Sequence, residues 1–327
     1  PRRMIVLVFT GGTISMKHDA TAGGAVPSLT GRDILALSPG IDRLAQLEVD
    51  DWGSFPGPHM TIERIWALRA RILHHLARPE VEGIVLTHGT DSLEESAYLM
   101  ARSMSTAKPV VFTGAMRTSS DLGWDGPGNL GGAVRVAASD AARGQGVMVA
   151  MGDRIYSALD VTKVHTAMLD AFDSPGLGPL GIVDDGVVIF RRALPDNITT
   201  IEPESLGTPV DIVYAWAGAD SRLLKASAET ARGVVVAAMG RGNVPPEMLE
   251  GIDAFINANK PVVISSRSAR GRVGPTYGYP GAGRRLLERG AILAGGRRPQ
   301  QARIDLMLAL GMGWSREQIQ PIFESAL

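Results

Sequence analysis

The sequence predicts an α/β protein of two domains. The larger, over residues 1–195, is built on a mainly parallel sheet with flanking helices; a linker at 196–208 leads to a smaller C-terminal α/β domain over 209–327. Three observations point this way. A chain of 327 residues exceeds the usual single core. Short apolar runs alternate with segments of helical period in both halves, the pattern of strands joined by helical crossovers. Between Arg191 and Thr208 that pattern weakens, with Pro195, Pro203 and Pro209 marking the joint.

The first element is Met4 to Phe9, six apolar residues that suit a strand covered on both faces. It runs into T-G-G-T-I-S, where Gly11 and Gly12 allow a sharp bend and close approach by another molecule. In open α/β sheets ligands sit beyond the carboxyl ends of the strands, so Thr10, Thr13 and Ser15 fall where chemistry is done. Taken alone, a tight turn whose hydroxyls only bond backbone accounts for these residues equally well.

Met16 to Leu29 is polar, glycine-rich and without periodicity, and reads as a mobile lid beside that turn. A short helix is expected around Arg32 to Leu37, then a strand and a proline-punctuated loop within Leu47 to Pro58. Thr61 starts a longer helix, in which Ile62, Ile65, Leu68, Ile72 and Leu76 recur at helical spacing. Glu82 to Thr87 is the next strand. It ends in H-G-T-D-S at His88 to Ser92, followed by a helix with Leu93, Ala97, Met100 and Met104 on one face.

Pro109 to Thr113 is a third strand, Asn129 to Ala142 a helix, Gly146 to Met151 a strand, and D-V-T-K-V-H-T at Asp160 to Thr166 a connection with an isolated lysine. The C-terminal set has strands at 210–215, 233–239 and 261–265 and helices near 220–230, 246–258 and 300–311.

Composition narrows the function. With 33 basic against 34 acidic residues and no long block of one sign, neither nucleic acid nor an anionic membrane is indicated as a partner. Zero cysteines remove disulfides, thiolate metal sites and cysteine nucleophiles. The apolar run near the N-terminus is too short for a signal segment or a membrane span, and a cytoplasmic location is the expectation.

Other chemistries fit poorly. T-G-G-T-I-S lacks the third glycine of a dinucleotide fingerprint, Ser105 to Lys108 matches S-x-x-K only at a helix end, no G-x-S-x-G occurs, and His74 with His75 lacks metal-ligand spacing. In H-G-T-D-S, Asp91 with Glu94 and Ser92 with Glu95 are capping signals, so a plain helix N-terminus is one reading. The other is chemical. Amide hydrolysis needs a nucleophile, a proton acceptor and donors for the oxyanion. Thr13, Thr90, Asp91 and Lys163 supply suitable groups if their turns converge at one sheet edge.

Six motifs in order carry a resemblance: T-G-G-T-I at Thr10 to Ile14, H-G-T-D at His88 to Asp91, T-G-A-M-R at Thr113 to Arg117, D-G-P-x-N-L at Asp125 to Leu130, V-T-K at Val161 to Lys163, and G-x-G-N at Gly240 to Asn243. Together they resemble the bacterial-type L-asparaginase/glutaminase family, over nearly the whole chain. The resemblance implies an amidohydrolase that releases ammonia from L-asparagine, with L-glutamine a further candidate, through a threonine nucleophile and an acyl-enzyme. By the same resemblance Thr13 is the nucleophile, Thr90 the second catalytic threonine, Lys163 its base partner, and Asp91 the residue that orients the site and binds a substrate ammonium. Gly12, Thr90 and Ala115 would offer backbone groups to substrate and oxyanion, with Asn243 also at the substrate. A homodimer or homotetramer with active sites between subunits is implied, and no metal or organic cofactor.

Three departures accompany these matches. Met16 to Leu29 lacks the tyrosine that usually pairs with the nucleophile, leaving His18, Tyr277 and Tyr279 as candidates. Where the family has a Ser-Gln or Ser-Glu pair, this chain has Ser54 followed by no Gln or acid, and an alignment on Met60 and Thr61 puts Gly57 and Pro58 there, with His59 next. Finally, Gly274 to Arg284 has none of the acid a neighbouring subunit normally offers. Losing charge-assisted partners worth about 1.5–3 kcal/mol each weakens binding of free asparagine. Two alternatives therefore stand beside asparagine hydrolysis: an amidase or lactamase for substrates without an α-amino acid head, and a non-catalytic small-ligand binding module.

Overall fold

A computed structural model describes residues 2–325; Pro1, Ala326 and Leu327, the outermost residues of the two expected domains, lie outside the described residues. The chain divides into two compact units, residues 1–198 and 199–327.

The first unit contains strands β1 (Met4–Phe9), β2 (Met16–Asp19), β3 (Gly24–Pro27), β4 (Gln46–Asp51), β5 (Val81–Thr87), β6 (Val110–Thr113), β7 (Val147–Met151), β8 (Arg154–Ser157), β9 (Thr162–Lys163), β10 (Phe172–Asp173), β11 (Gly181–Asp184) and β12 (Val187–Phe190). Its α-helices are α1 (Gly31–Ala36), α2 (Ile62–Leu76), α3 (Leu93–Ser103) and α4 (Gly126–Ala137). Eight strands form one sheet in the order β12-β11-β8-β7-β6-β5-β1-β4. From β4 to β7 the pairing is parallel; β8, β11 and β12 add on antiparallel, which makes the sheet mainly parallel.

Burial explains the apolar runs. Ile5, Val6, Leu7 and Val8 are at most 1% exposed, as are Ile84, Val85 and Leu86 of β5 and all of β6. Each such side chain contributes about 1.5–3 kcal/mol on leaving water. The helical periods also hold: Ile65, Leu68 and Ile72 of α2 and Leu93, Ala97 and Met100 of α3 are buried. Thr30 caps α1 with a capping box, and the Thr61 hydroxyl accepts from Arg64 N at the start of α2.

Three expectations are corrected. Met16 to Leu29 is not an irregular loop: β2 and β3 pair antiparallel, Met16 with Pro27 through Asp19 with Gly24. The hairpin shows no apolar alternation because most of its side chains face water. The helix expected from Asn129 starts at Gly126, with Pro127 in its first turn, and ends at Ala137 before a separate turn of 3-10 helix at Asp140–Ala142. Within Asp160 to Thr166, the connection includes a two-residue strand, β9, paired with β10.

The second unit has a four-stranded parallel sheet of β13 (Val210–Tyr214), β14 (Gly233–Ala238), β15 (Val262–Ser266) and β16 (Ile292–Leu293), in that order. Helices α5 (Arg222–Ala228), α6 (Leu249–Asn257), α7 (Gly283–Arg289), α8 (Pro299–Gly311) and α9 (Arg316–Glu324) flank it, around a core that includes Val234, Val236, Ile252, Phe255 and Ile264. No helix of the described residues is long and apolar enough to cross a membrane.

Candidate active site

The candidate groups of the first unit gather where β1, β5 and β6 end. After Phe9, Thr10 Oγ1 donates to Thr87 O at 2.8 Å and so straps the first turn to β5. Phe55 N donates to Thr10 O at 2.8 Å, and Gly12 N to Phe55 O at 3.0 Å, which binds the 53–59 loop along the other side. Gly12 has φ +84°, and a Cβ on it would lie 2.5 Å from Cα and N of Gly89. Only glycine tolerates both conditions. A Cβ on Gly89 would in turn lie 2.5 Å from Cα and N of Gly57, and one on Gly114 would lie 2.6 Å from His88 O. The turns at the strand ends are thus stacked main chain on main chain.

The three hydroxyls of the first turn differ in their partners. Ser15 Oγ donates to Gly12 O at 2.9 Å, and Thr10 is committed to Thr87, so two of the three hydroxyls do bond backbone. Thr13 does not: it opens a short 3-10 turn, half-buried, and no described residue hydrogen-bonds its hydroxyl. Thr13 and Thr90 each follow a glycine of the Gly12–Gly89 contact, so the two threonines stand on adjoining turns.

On the second turn the capping alternative fails. Neither expected side chain caps α3: Ser92 Oγ donates to Gly57 O at 2.6 Å, and Asp91 Oδ1 accepts from Lys163 Nζ at 2.7 Å. The same ammonium donates to Thr90 Oγ1 at 2.8 Å. Thr90, Lys163 and Asp91 therefore form one hydrogen-bonded line, Lys163 being 16% and Asp91 59% exposed in their side chains. An ion pair so open to water contributes about 1 kcal/mol or less to stability. Its significance is positional.

One further residue, Glu94, escaped the sequence reading because it resembles a helix cap. Glu94 accepts from Thr162 Oγ1 at 3.0 and 2.9 Å and from Lys163 N at 2.7 Å. Asp125 accepts from the amides of Met116 and Arg117, and Asn129 Nδ2 donates to Gly114 O at 3.0 Å, which fixes the turn after β6. Met116 and Arg117 are thereby occupied, whereas no described residue accepts from the amides of Thr90 and Ala115.

Beneath the second turn His88 is fully buried, with Nδ1 on Gly89 O at 2.8 Å and Nε2 on Ser96 Oγ at 2.7 Å. The carbonyl can only accept, so Nδ1 carries the proton and Nε2 accepts from serine. Burial pushes the imidazole down from 6.5 to about 4, and the bond to Gly89, which favours the charged form, does not offset it. Between these values the unfolded chain binds a proton that the folded one refuses, so stability falls as pH drops from 6.5 towards 4, by about 3 kcal/mol in full. Denaturant unfolding at pH 7 and pH 4.5 checks this: His88→Gln should show a smaller loss across the window than the parent, and equal losses would refute the assignment.

The remaining predicted residues divide. Ser54, Pro58 and His59 are exposed on the 53–59 loop, whereas Gly57 is buried against Gly89 and Asp91; a Cβ there would lie 3.1 Å from Asp91 Cβ. Ala115 is fully buried. His18 does not hydrogen-bond Thr13: its exposed ring contacts Asp121 Oδ1 through Nε2 at 3.1 Å. Asn243, Tyr277 and Tyr279 belong to the second unit, where Asn243 Oδ1 accepts from Gly283 N and the two tyrosine rings stack at 5.7 Å. No cluster of His, Asp and Glu among the described residues is arranged to hold a metal ion.

Residues 4–195 match the family model described as "Asparaginase, N-terminal", and residues 209–323 match "Glutaminase/Asparaginase C-terminal domain". The chain belongs to the asparaginase family. It is an amidohydrolase of the asparaginase type. Among similar asparaginases are a probable L-asparaginase of Deinococcus radiodurans, 37% identical with 98% of this chain and 96% of that protein covered, and L-asparaginase 2 of Escherichia coli, 31% identical with 98% and 92% covered. The crystal structure of a probable cytoplasmic L-asparaginase from Campylobacter jejuni superimposes with a TM-score of 0.89 at 32% identity, covering 99% of this chain and 100% of that one.

Proposed function

We propose that this chain hydrolyses the side-chain amide of L-asparagine, and secondarily of L-glutamine, to the acid and ammonia, with Thr13 as nucleophile. The observation that carries the reading is the Thr90–Lys163–Asp91 line on a turn packed against that of Thr13, whose hydroxyl has no partner among the described residues. Thr13 Oγ attacks the amide carbon and the free amides of Thr90 and Ala115 face the developing oxyanion, a type of contact worth about 10²–10³ in rate per donor. The hydroxyl proton passes along Thr90 and Lys163 to the leaving nitrogen, the C–N bond breaks, and ammonia departs from an acyl ester on Thr13. Water then attacks the ester and its proton returns along the same relay to Thr13 Oγ as the C–O bond to Thr13 breaks, so the acid leaves and the Thr13 hydroxyl is restored. Asp91 holds Lys163 and offers its second oxygen to a substrate ammonium. The catalytic groups are assigned to the N-terminal domain, residues 1–195. A cytoplasmic location, supported by the name of the Campylobacter neighbour, and a homodimer or homotetramer with sites completed between subunits belong to the same reading.

A second reading is favoured by Gly57. Where the family pattern places a hydroxyl for the substrate's α-amino acid head, this chain has main chain pressed on Gly89, so an amide or lactam without that head is the alternative. Ammonia release from L-asparagine, L-glutamine, their D-forms and simple amides separates the two, with ring opening scored for lactams. High activity at micromolar L-asparagine removes the second; activity confined to head-less amides or lactams removes the first. Binding without product in every case would leave only a binding module.

A further inference from the structure

We infer that Glu94 is a positioning residue for Lys163, an inference that rests on the catalytic role proposed for that lysine. Lys163 sits on a weak support. Strand β9 has two residues, its ladder with β10 has two register pairs, and the chain beyond is exposed at Val164 and Met168. Such a ribbon, marginal by itself, does not fix a long side chain to the tolerance that proton transfer needs.

Glu94 supplies the missing constraint. It lies in the first turn of α3, where an acid favours the helix dipole, but its carboxyl group reaches across to β9. There it accepts from Thr162 Oγ1 with both oxygens and from Lys163 N at 2.7 Å. Two consecutive residues of β9 are thereby tied to α3. The turn that opens α3 holds the other end of the same lysine, through Thr90 and Asp91. One helix start thus grips Lys163 at backbone and ammonium together, so the Nζ position follows α3 and not the loop beyond β9. The Glu94 bonds run to the hydroxyl of Thr162 and the main chain of Lys163, and not to Thr13 or Thr90, so its effect should fall on turnover and leave substrate affinity alone.

The experiment is a graded series, Glu94→Gln and Glu94→Ala, with Thr162→Val and the double variant Glu94→Ala/Thr162→Val, assayed on the amide the parent turns over best. Glu94→Ala should lower kcat on the order of 100-fold with KM within about twofold, the scale of a misplacement near 1 Å. Glu94→Gln, which keeps acceptor oxygen, should recover part of the loss, and the double variant should be no worse than Glu94→Ala. A Glu94→Ala or Glu94→Gln enzyme with the parent's kcat overturns the inference, as do losses that appear in KM or multiply in the double variant. If Glu94→Ala fails to fold, Glu94→Gln and Thr162→Val decide by the same criteria. Lys163→Ala is run alongside: parental turnover in it removes the proposed mechanism itself, whereas an inactive Lys163→Ala beside a fully active Glu94 series removes only the positioning role.

Discussion

Substituting Thr13 by alanine is expected to lower kcat by at least about 1,000-fold with a modest change in KM, and Lys163→Ala should do the same, because nucleophile and proton relay act as one unit. Neither variant should unfold the protein. The Thr13 hydroxyl makes no hydrogen bond to a described residue, and the Lys163 ion pair is open to water. Acid quenching during turnover followed by peptide mapping identifies the acylated residue. An adduct on the peptide containing Thr13 is expected. An adduct on Thr90 would exchange the two roles, and turnover within tenfold of the parent in either variant would discard the mechanism.

The second large effect comes from a methyl group. Gly89→Ala places a Cβ 2.5 Å from main-chain atoms of Gly57, and neither side can yield as a flexible side chain would. Restoring ordinary contact requires a backbone shift near 1 Å, which should cost on the order of 100-fold in kcat, while the overpacking costs about 1–3 kcal/mol of stability. Steady-state kinetics and a denaturation midpoint on the same preparation read both. Gly128→Ala is the control, since a Cβ there meets nothing within 4 Å and lies in α4. Helix propensity makes that change neutral or slightly stabilising. A Gly89→Ala enzyme with unaltered kcat would show that the stacked turns do not set the catalytic geometry.

What could be read beforehand follows from the range of the interactions. Apolar runs ending in Gly and Thr announced β1, β5 and β6 because burial on both faces leaves an unbroken hydrophobic record. The T-G-G-T and H-G-T-D turns, with V-T-K, indicated which hydroxyls and which lysine to follow. The β2–β3 hairpin left no such record: its side chains face water, and its Met16 carbonyl and His18 ring are met by Ser119 and Asp121, about a hundred residues away in sequence. Glu94 was hidden for a related reason. Beside Asp91 it completes a helix-capping pattern, and its true partners lie 68 and 69 residues further on. At the antiparallel edge of the sheet, β11 and β12 are short, half-exposed strands joined at Asp185-Gly186, the kind of turn dipeptide that would have marked the hairpin.

Four strand ends in the first unit share a single rung of the sheet: Asp51 pairs with Phe9, Phe9 with Thr87, and Thr87 with Thr113. The turns that follow all start from one line, and their lateral separation is therefore dictated by interstrand hydrogen bonding, about 4.8 Å per step. A carboxamide spans less than one such step. On the function proposed above, a small substrate lying across that line meets groups on neighbouring strands at once, with the exposed Ser54, Pro58 and His59 of the 53–59 loop open to larger ones. The sheet thus acts as a ruler for molecular size, and the loop is where changes of substrate can be written without recalibrating it.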